Sequence, residues 1–89
     1  MTTYRIVLAG PAERQLARLP EKIGTAIIEF MYGPLADNPQ RVGKLLDPPL
    51  APRYVARRGE YRVIYAINDD VIEVQVLTIA HRRDAYRRR

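Results

Sequence analysis

Apolar residues recur along this chain at two different periods, and the change of period divides it into a helical first half and an extended second half. From Tyr4 to Leu8 a short β-branched run, closed by Gly10 and Pro11, predicts a strand. In PAERQLARLP the apolar positions Ala12, Leu16 and Leu19 fall at i, i+4 and i+7, which predicts a helix opened by Pro11 with Glu13 near the positive end of its dipole. Pro20 stops that helix and can begin the next, whose positions Ile23, Ile27, Phe30 and Met31 repeat the stripe. So short a link makes the two helices an antiparallel pair. YGPLADNP should end or kink the second helix near Gly33 and Pro34, because an interior proline costs about 3 kcal/mol.

Residues 40–52 hold Gly43, Pro48, Pro49 and Pro52 and read as a connection, with room for a short strand around Val42 to Leu46. Beyond it the period falls to two. RYVARR, the turn GE, YRVIYAI, the turn NDD and VIEVQVLTIA predict three strands joined by hairpins, an antiparallel meander. One early strand, a helix pair and a meander make an α+β domain, in which the helices cover one face of the sheet. On YRVIYAI, alternation puts Tyr61, Val63, Tyr65 and Ile67 on the core side and Arg62, Ile64 and Ala66 on the other. Arg62 then stands on a rigid strand, free of the helices, with a cross-strand pair to Glu73 as its ordinary structural use.

At 89 residues the chain holds one domain, 1–89, with a modest core. Without cysteine it can build neither disulfides nor a cysteine-ligated zinc site, which points to a reducing cytoplasm. The N-terminal run lacks the apolar segment of a signal peptide, and no stretch approaches a membrane span, so no membrane partner is expected. The formal charge of +5 favours a polyanionic partner. All but two of the 15 basic residues are arginine, the exceptions being Lys22 and Lys44, and the planar guanidinium fork matches phosphate oxygens two at a time.

Lys44, Arg53, Arg57, Arg58, Arg62, Arg82 and Arg83 all fall in or beside the meander and its tail. Gathered on one face they form a groove for a nucleic-acid backbone, with Tyr54 and Tyr86 available to stack on bases. Cleavage of RNA asks little more, because the ribose 2′-OH is a built-in nucleophile. A protein has only to help remove its proton, neutralise the phosphorane and protonate the leaving 5′ oxygen. Arg62 and Arg82 suit the neutralising role, and His81 and Tyr86 are the available proton carriers. No HExxH, P-loop or dinucleotide fingerprint is present, so no metal or cofactor is expected.

RLP, GPLADNPQRVGK, ARRGEYRVIYAIND and IAHRRDAYR, in that order, resemble the RelE toxins of the RelE/ParE superfamily of bacterial toxin–antitoxin systems over nearly the whole chain. The resemblance implies a metal-independent, ribosome-dependent endoribonuclease that cuts mRNA in the A site. It also implies a RelB-like antitoxin that wraps the toxin, with operator DNA reached only through that complex. On the same footing Arg62 corresponds to a strand arginine that stabilises transition-state charge and Arg82 to a tail arginine acting on the leaving group. Tyr86 corresponds to a tyrosine that stacks on or activates the substrate, and His81 to a site where relatives carry lysine or histidine. Two strand lysines of some members are replaced here by Arg53 and Val55, which moves the base role to His81, Tyr86, or the ribosome and substrate. Two alternatives stay open: a ParE-like toxin that inhibits DNA gyrase without cutting RNA, and a weakened toxin that serves as an antitoxin-bound corepressor.

Overall fold

The computed structural model describes residues 3–85. Strand β1 (Arg5–Leu8) leads into α1 (Gly10–Arg18), where Pro11 fills the first turn and needs no amide partner. Leu19 and Pro20 alone separate α1 from α2 (Glu21–Phe30). Proline does not end this second helix. Met31–Leu35 widens into a π-helical turn that absorbs Pro34, and α geometry resumes at Ala36 and Asp37. The wider turn relieves the clash between the proline ring and the preceding carbonyls, while Met31 and Leu35, both fully buried, hold it in place. A short α3 (Pro39–Val42) and a two-residue β2 (Lys44–Leu45) follow.

Strands β3 (Tyr54–Arg58), β4 (Tyr61–Asn68) and β5 (Glu73–His81) form the expected meander. The sheet order is β1-β5-β4-β3-β2, all antiparallel except β1, which lies parallel to β5. That parallel pairing completes a five-stranded mixed sheet. Ala12, Ile27, Met31 and Leu35 from the helices meet Ala56, Val63, Tyr65, Val74, Val76 and Ile79 in one buried cluster, so the helices cover one face. The opposite face is not bare throughout, because Ile64 there is only 7% exposed. No helix among the described residues is long and apolar enough to cross a membrane.

Candidate nucleic-acid interface

Register decides which cations share the face turned away from the helices. Ala56 and Val63 are paired and buried in the core, so their neighbours Arg57 and Arg62, also paired directly across the strands, stand on the other side. Two guanidinium groups opposite one another repel, so stability does not explain the pair. Lys44 lies across from Val55, one step along that same face, and is exposed. Arg53 prolongs the β2–β3 ladder through its carbonyl, which accepts from Leu46 N (2.8 Å), and alternation gives it the side of Val55. Lys44, Arg53, Arg57 and Arg62 thus form one cationic row.

Arg62 faces Ala80 across β5 and is far from Glu73, which belongs to the other end of the strand and binds Arg5 at 2.6 Å. The cross-strand pair with Glu73, the ordinary structural alternative for Arg62, is therefore not formed. Its Nη1 instead donates to the carbonyls of Gly59 and Tyr61, both at 3.1 Å, which folds the guanidinium against the β3–β4 turn. Arg82 extends the ladder by one step: its amide donates to Glu60 O (2.7 Å) and its Nε meets Glu60 Oε1 at 2.7 Å. Both Arg82 and Glu60 are exposed, so the ion pair is a weak restraint that phosphate can compete for. Glu60 is a site residue that the sequence reading missed. Its position in the GE turn, next to a strand arginine, was the available signal.

The remaining expected site residues lie elsewhere. Tyr54 pairs with Tyr65 and their rings stack at 5.7 Å on the helix side of the sheet, which removes Tyr54 from the arginine face. His81 pairs with Tyr61, and the rings meet edge to face at 5.5 Å, again on the side of the core residues Val63 and Ile79. Its Nδ1 accepts from the Arg83 amide at 3.2 Å. Arg83 is exposed in the turn that follows. Arg58 lies opposite Tyr61 and lines, with Lys22, Ile23, Ala26 and Ile27, a groove of about 390 Å³ on the helix side. Tyr86 lies outside the described residues. The structure therefore brings together Lys44, Arg53, Arg57, Arg62 and Arg82, an arrangement suited to grip a phosphate backbone and spread the charge of a phosphorane.

A family model described as the ParE toxin of the type II toxin–antitoxin system parDE matches residues 6–86. Toxin RelE of Mycobacterium tuberculosis is 48% identical over 84 residues, covering 94% of this chain and 87% of the relative. Toxin RelG of the same organism is 44% identical over 85 residues, 96% of this chain and 98% of the relative. Among solved structures, a chain in the RelBE2 toxin–antitoxin complex of Mycobacterium tuberculosis superimposes with a TM-score of 0.87 at 40% identity. That match covers 90% of this chain and 99% of the other.

Proposed function

The chain is a RelE-type toxin of the RelE/ParE superfamily of type II toxin–antitoxin systems, and on that premise we propose that it is a metal-independent endoribonuclease cutting mRNA in the ribosomal A site. The observation that carries this reading is the pair Arg57 and Arg62, placed side by side on the sheet with Arg82 beside the same turn. In the proposed reaction a 2′ oxygen attacks the adjacent phosphorus and the bond to the 5′ oxygen breaks. A 2′,3′-cyclic phosphate and a free 5′-hydroxyl result. Arg62 and Arg57 offset the charge that builds on the phosphorane oxygens, and Arg82, released from Glu60, stabilises the departing oxygen, which takes its proton from water. With His81 on the helix side, the proton of the 2′-OH goes to Tyr86 or to a group of the ribosome or substrate.

We assign silencing to a RelB-like antitoxin, since the superimposed relative comes from a toxin–antitoxin complex and a cationic face suits an acidic chain that folds on binding. Operator DNA would be reached only through that complex. The ParE family match keeps gyrase inhibition as the second reading, with antitoxin-bound corepression as its weaker companion. Cleavage mapping in a purified translation system, with and without ribosomes, separates them. The ribonuclease reading expects ribosome-dependent cuts within A-site codons, reduced at least about 100-fold by Arg62→Ala or Arg82→Ala in folded protein. Uncut mRNA with normal translation, together with DNA damage on expression, would replace it with the gyrase reading.

A further inference from the structure

Strand β5 carries one residue more than its ladder can pair. Ile64 faces Thr78 and Tyr65 faces Val76, so Leu77 has no counterpart in β4. Such a bulge reverses the alternation of everything beyond it. Val74 and Val76 point to the helices, and past Leu77 it is Ile79, 1% exposed, that does so. In an unbulged strand the helix side would continue through Thr78, Ala80 and Arg82, while Ile79 and His81 would emerge beside Arg62. The bulge therefore selects which of two neighbouring side chains joins the cationic row: a permanent guanidinium or an imidazole.

Burial of Ile79 in the core favours the bulged register, and a second restraint acts on the backbone beside it. Strand β1 accompanies β5 only as far as Leu8 and Val76, where Ala9 N donates to Val76 O at 2.9 Å and the chain departs into α1. Just past the bulge the Ile79 amide donates to Oε1 of Gln15 at 2.8 Å. Gln15 is half-buried on α1 and takes the place of the strand partner that β1 no longer supplies. Slipping the strand by one residue would withdraw the Ile79 amide from this acceptor.

We propose that Gln15 is a positioning residue: by holding the bulge at Leu77 it sets the register that places Arg82, and not His81, next to Arg62. The functional consequence rests on the ribonuclease reading; the register itself does not. The test compares the full-length wild type with Gln15→Leu, which removes the acceptor, Gln15→Glu, which keeps one, and Gln15→Leu combined with deletion of Leu77. In a chain lacking Leu77 the unbulged ladder and the arginine-bearing register coincide, so the deletion should rescue Gln15→Leu. A role confined to capping would show no such rescue.

Amide hydrogen exchange and cross-strand NOEs between Arg62 and Ala80 read the register, and A-site cleavage reads the consequence. Gln15→Leu is expected to keep protection at Val63 and Val74, lose it at least tenfold at Ile79, weaken the Arg62–Ala80 contact and lower cleavage about tenfold. Gln15→Glu should stay within twofold of wild type, and the combined variant should recover both contact and cleavage. Retention of the Arg62–Ala80 contact and of full cleavage in Gln15→Leu overturns the proposal. If Gln15→Leu does not fold, the combined variant decides: recovery supports the register role, and a folded protein without the contact overturns it. A wild type that cuts no RNA defeats the ribonuclease reading alone, and the exchange and NOE results still judge Gln15.

Discussion

Tyr65 couples the core to the cationic face. Its ring is fully buried against Tyr54, and its hydroxyl donates to the Pro39 carbonyl at 2.7 Å, which ties α3 to the middle of the sheet. Gly43, the residue before Lys44, has no room for a side chain, since an added Cβ would land on the Tyr65 hydroxyl and 2.9 Å from Val55 O. This close approach seats β2 and so sets Lys44 opposite Val55 on the arginine side. Burial, and secondarily the neighbouring Tyr54, push the phenol upward from its ordinary 10.0. A phenol that keeps its proton longer when folded gives stability that is full below about pH 10 and falls as pH rises beyond it, because there the unfolded chain has released the proton. Tyr65→Phe should cost about 1–3 kcal/mol at pH 7 by orphaning the Pro39 carbonyl, yet flatten the alkaline decline. Urea melts at pH 7 and 10.5 check both; an unchanged alkaline slope in Tyr65→Phe would show that another tyrosine governs it.

At the scale of elements, the β3–β4 hairpin is where the site is tightest and the sequence most legible. Its two-residue GE loop has Gly59 at φ +61, and Gly59 lies in the left-handed region at the first central position, as a type II′ turn requires. Gly59→Ala should cost about 1–2 kcal/mol in stability and, by disturbing the carbonyl that Arg62 grips, lower cleavage more than that loss alone explains. Thermal melts compared with cleavage rates test this; activity that merely tracks the folded fraction would deny the link. Gly-Glu between two alternating runs announced that hairpin, and YRVIYAI announced the face of Arg62, because only one of its two sides is consistently apolar. VQVLTIA announced a strand but not its phase. Val74, Val76 and Ile79 lie in the core while Leu77 sits between them, and no local signal in the sequence marks the extra residue. For that reason the alternation puts His81 and Arg82 on opposite sides but does not say which of them joins Arg62. Pro34 signalled an end or a kink but not the π-helical turn that the buried Met31 and Leu35 hold in place, and the parallel seating of β1 beside β5 depends on long-range pairing that no short window contains.

For the whole molecule, the two ends of β4 differ in charge. The β3–β4 end carries Arg57, Arg62 and Arg82, while the β4–β5 end holds Asp69, Asp70 and Glu73 around a polar hollow of about 410 Å³. Part of that acidity is engaged locally: Glu73 binds Arg5, and Asp69 accepts from the Tyr4 hydroxyl and from Gln40 at 3.2 Å. The seven steps from Tyr61 to Asn68 separate the Arg57, Arg62 and Arg82 end of β4 from the acidic end by about 23 Å at roughly 3.3 Å per residue, beyond the screening length of about 10 Å at 0.1 M salt, whereas Arg53, next to Tyr54 opposite Tyr65, lies nearer the acidic end. The two groups of charge should therefore affect RNA in different ways. A cation that touches phosphate changes the steepness of the salt dependence, each contact to a single strand contributing about 0.7 to the slope of log affinity against log salt. If Lys44, Arg53, Arg57, Arg62 and Arg82 all engage, the wild-type slope is roughly −3.5, and Arg57→Gln makes it shallower by about 0.7. Asp70→Asn touches no phosphate and acts only through the field, so it should give a small gain in affinity at low salt that fades as salt rises, steepening the slope slightly where Arg57→Gln makes it shallower. Titration of a fluorescent single-stranded RNA across 50–300 mM salt separates these effects. A common slope for wild type and Arg57→Gln would mean that the arginine row does not hold phosphate, and the same surface would then have to be read as a docking site for protein.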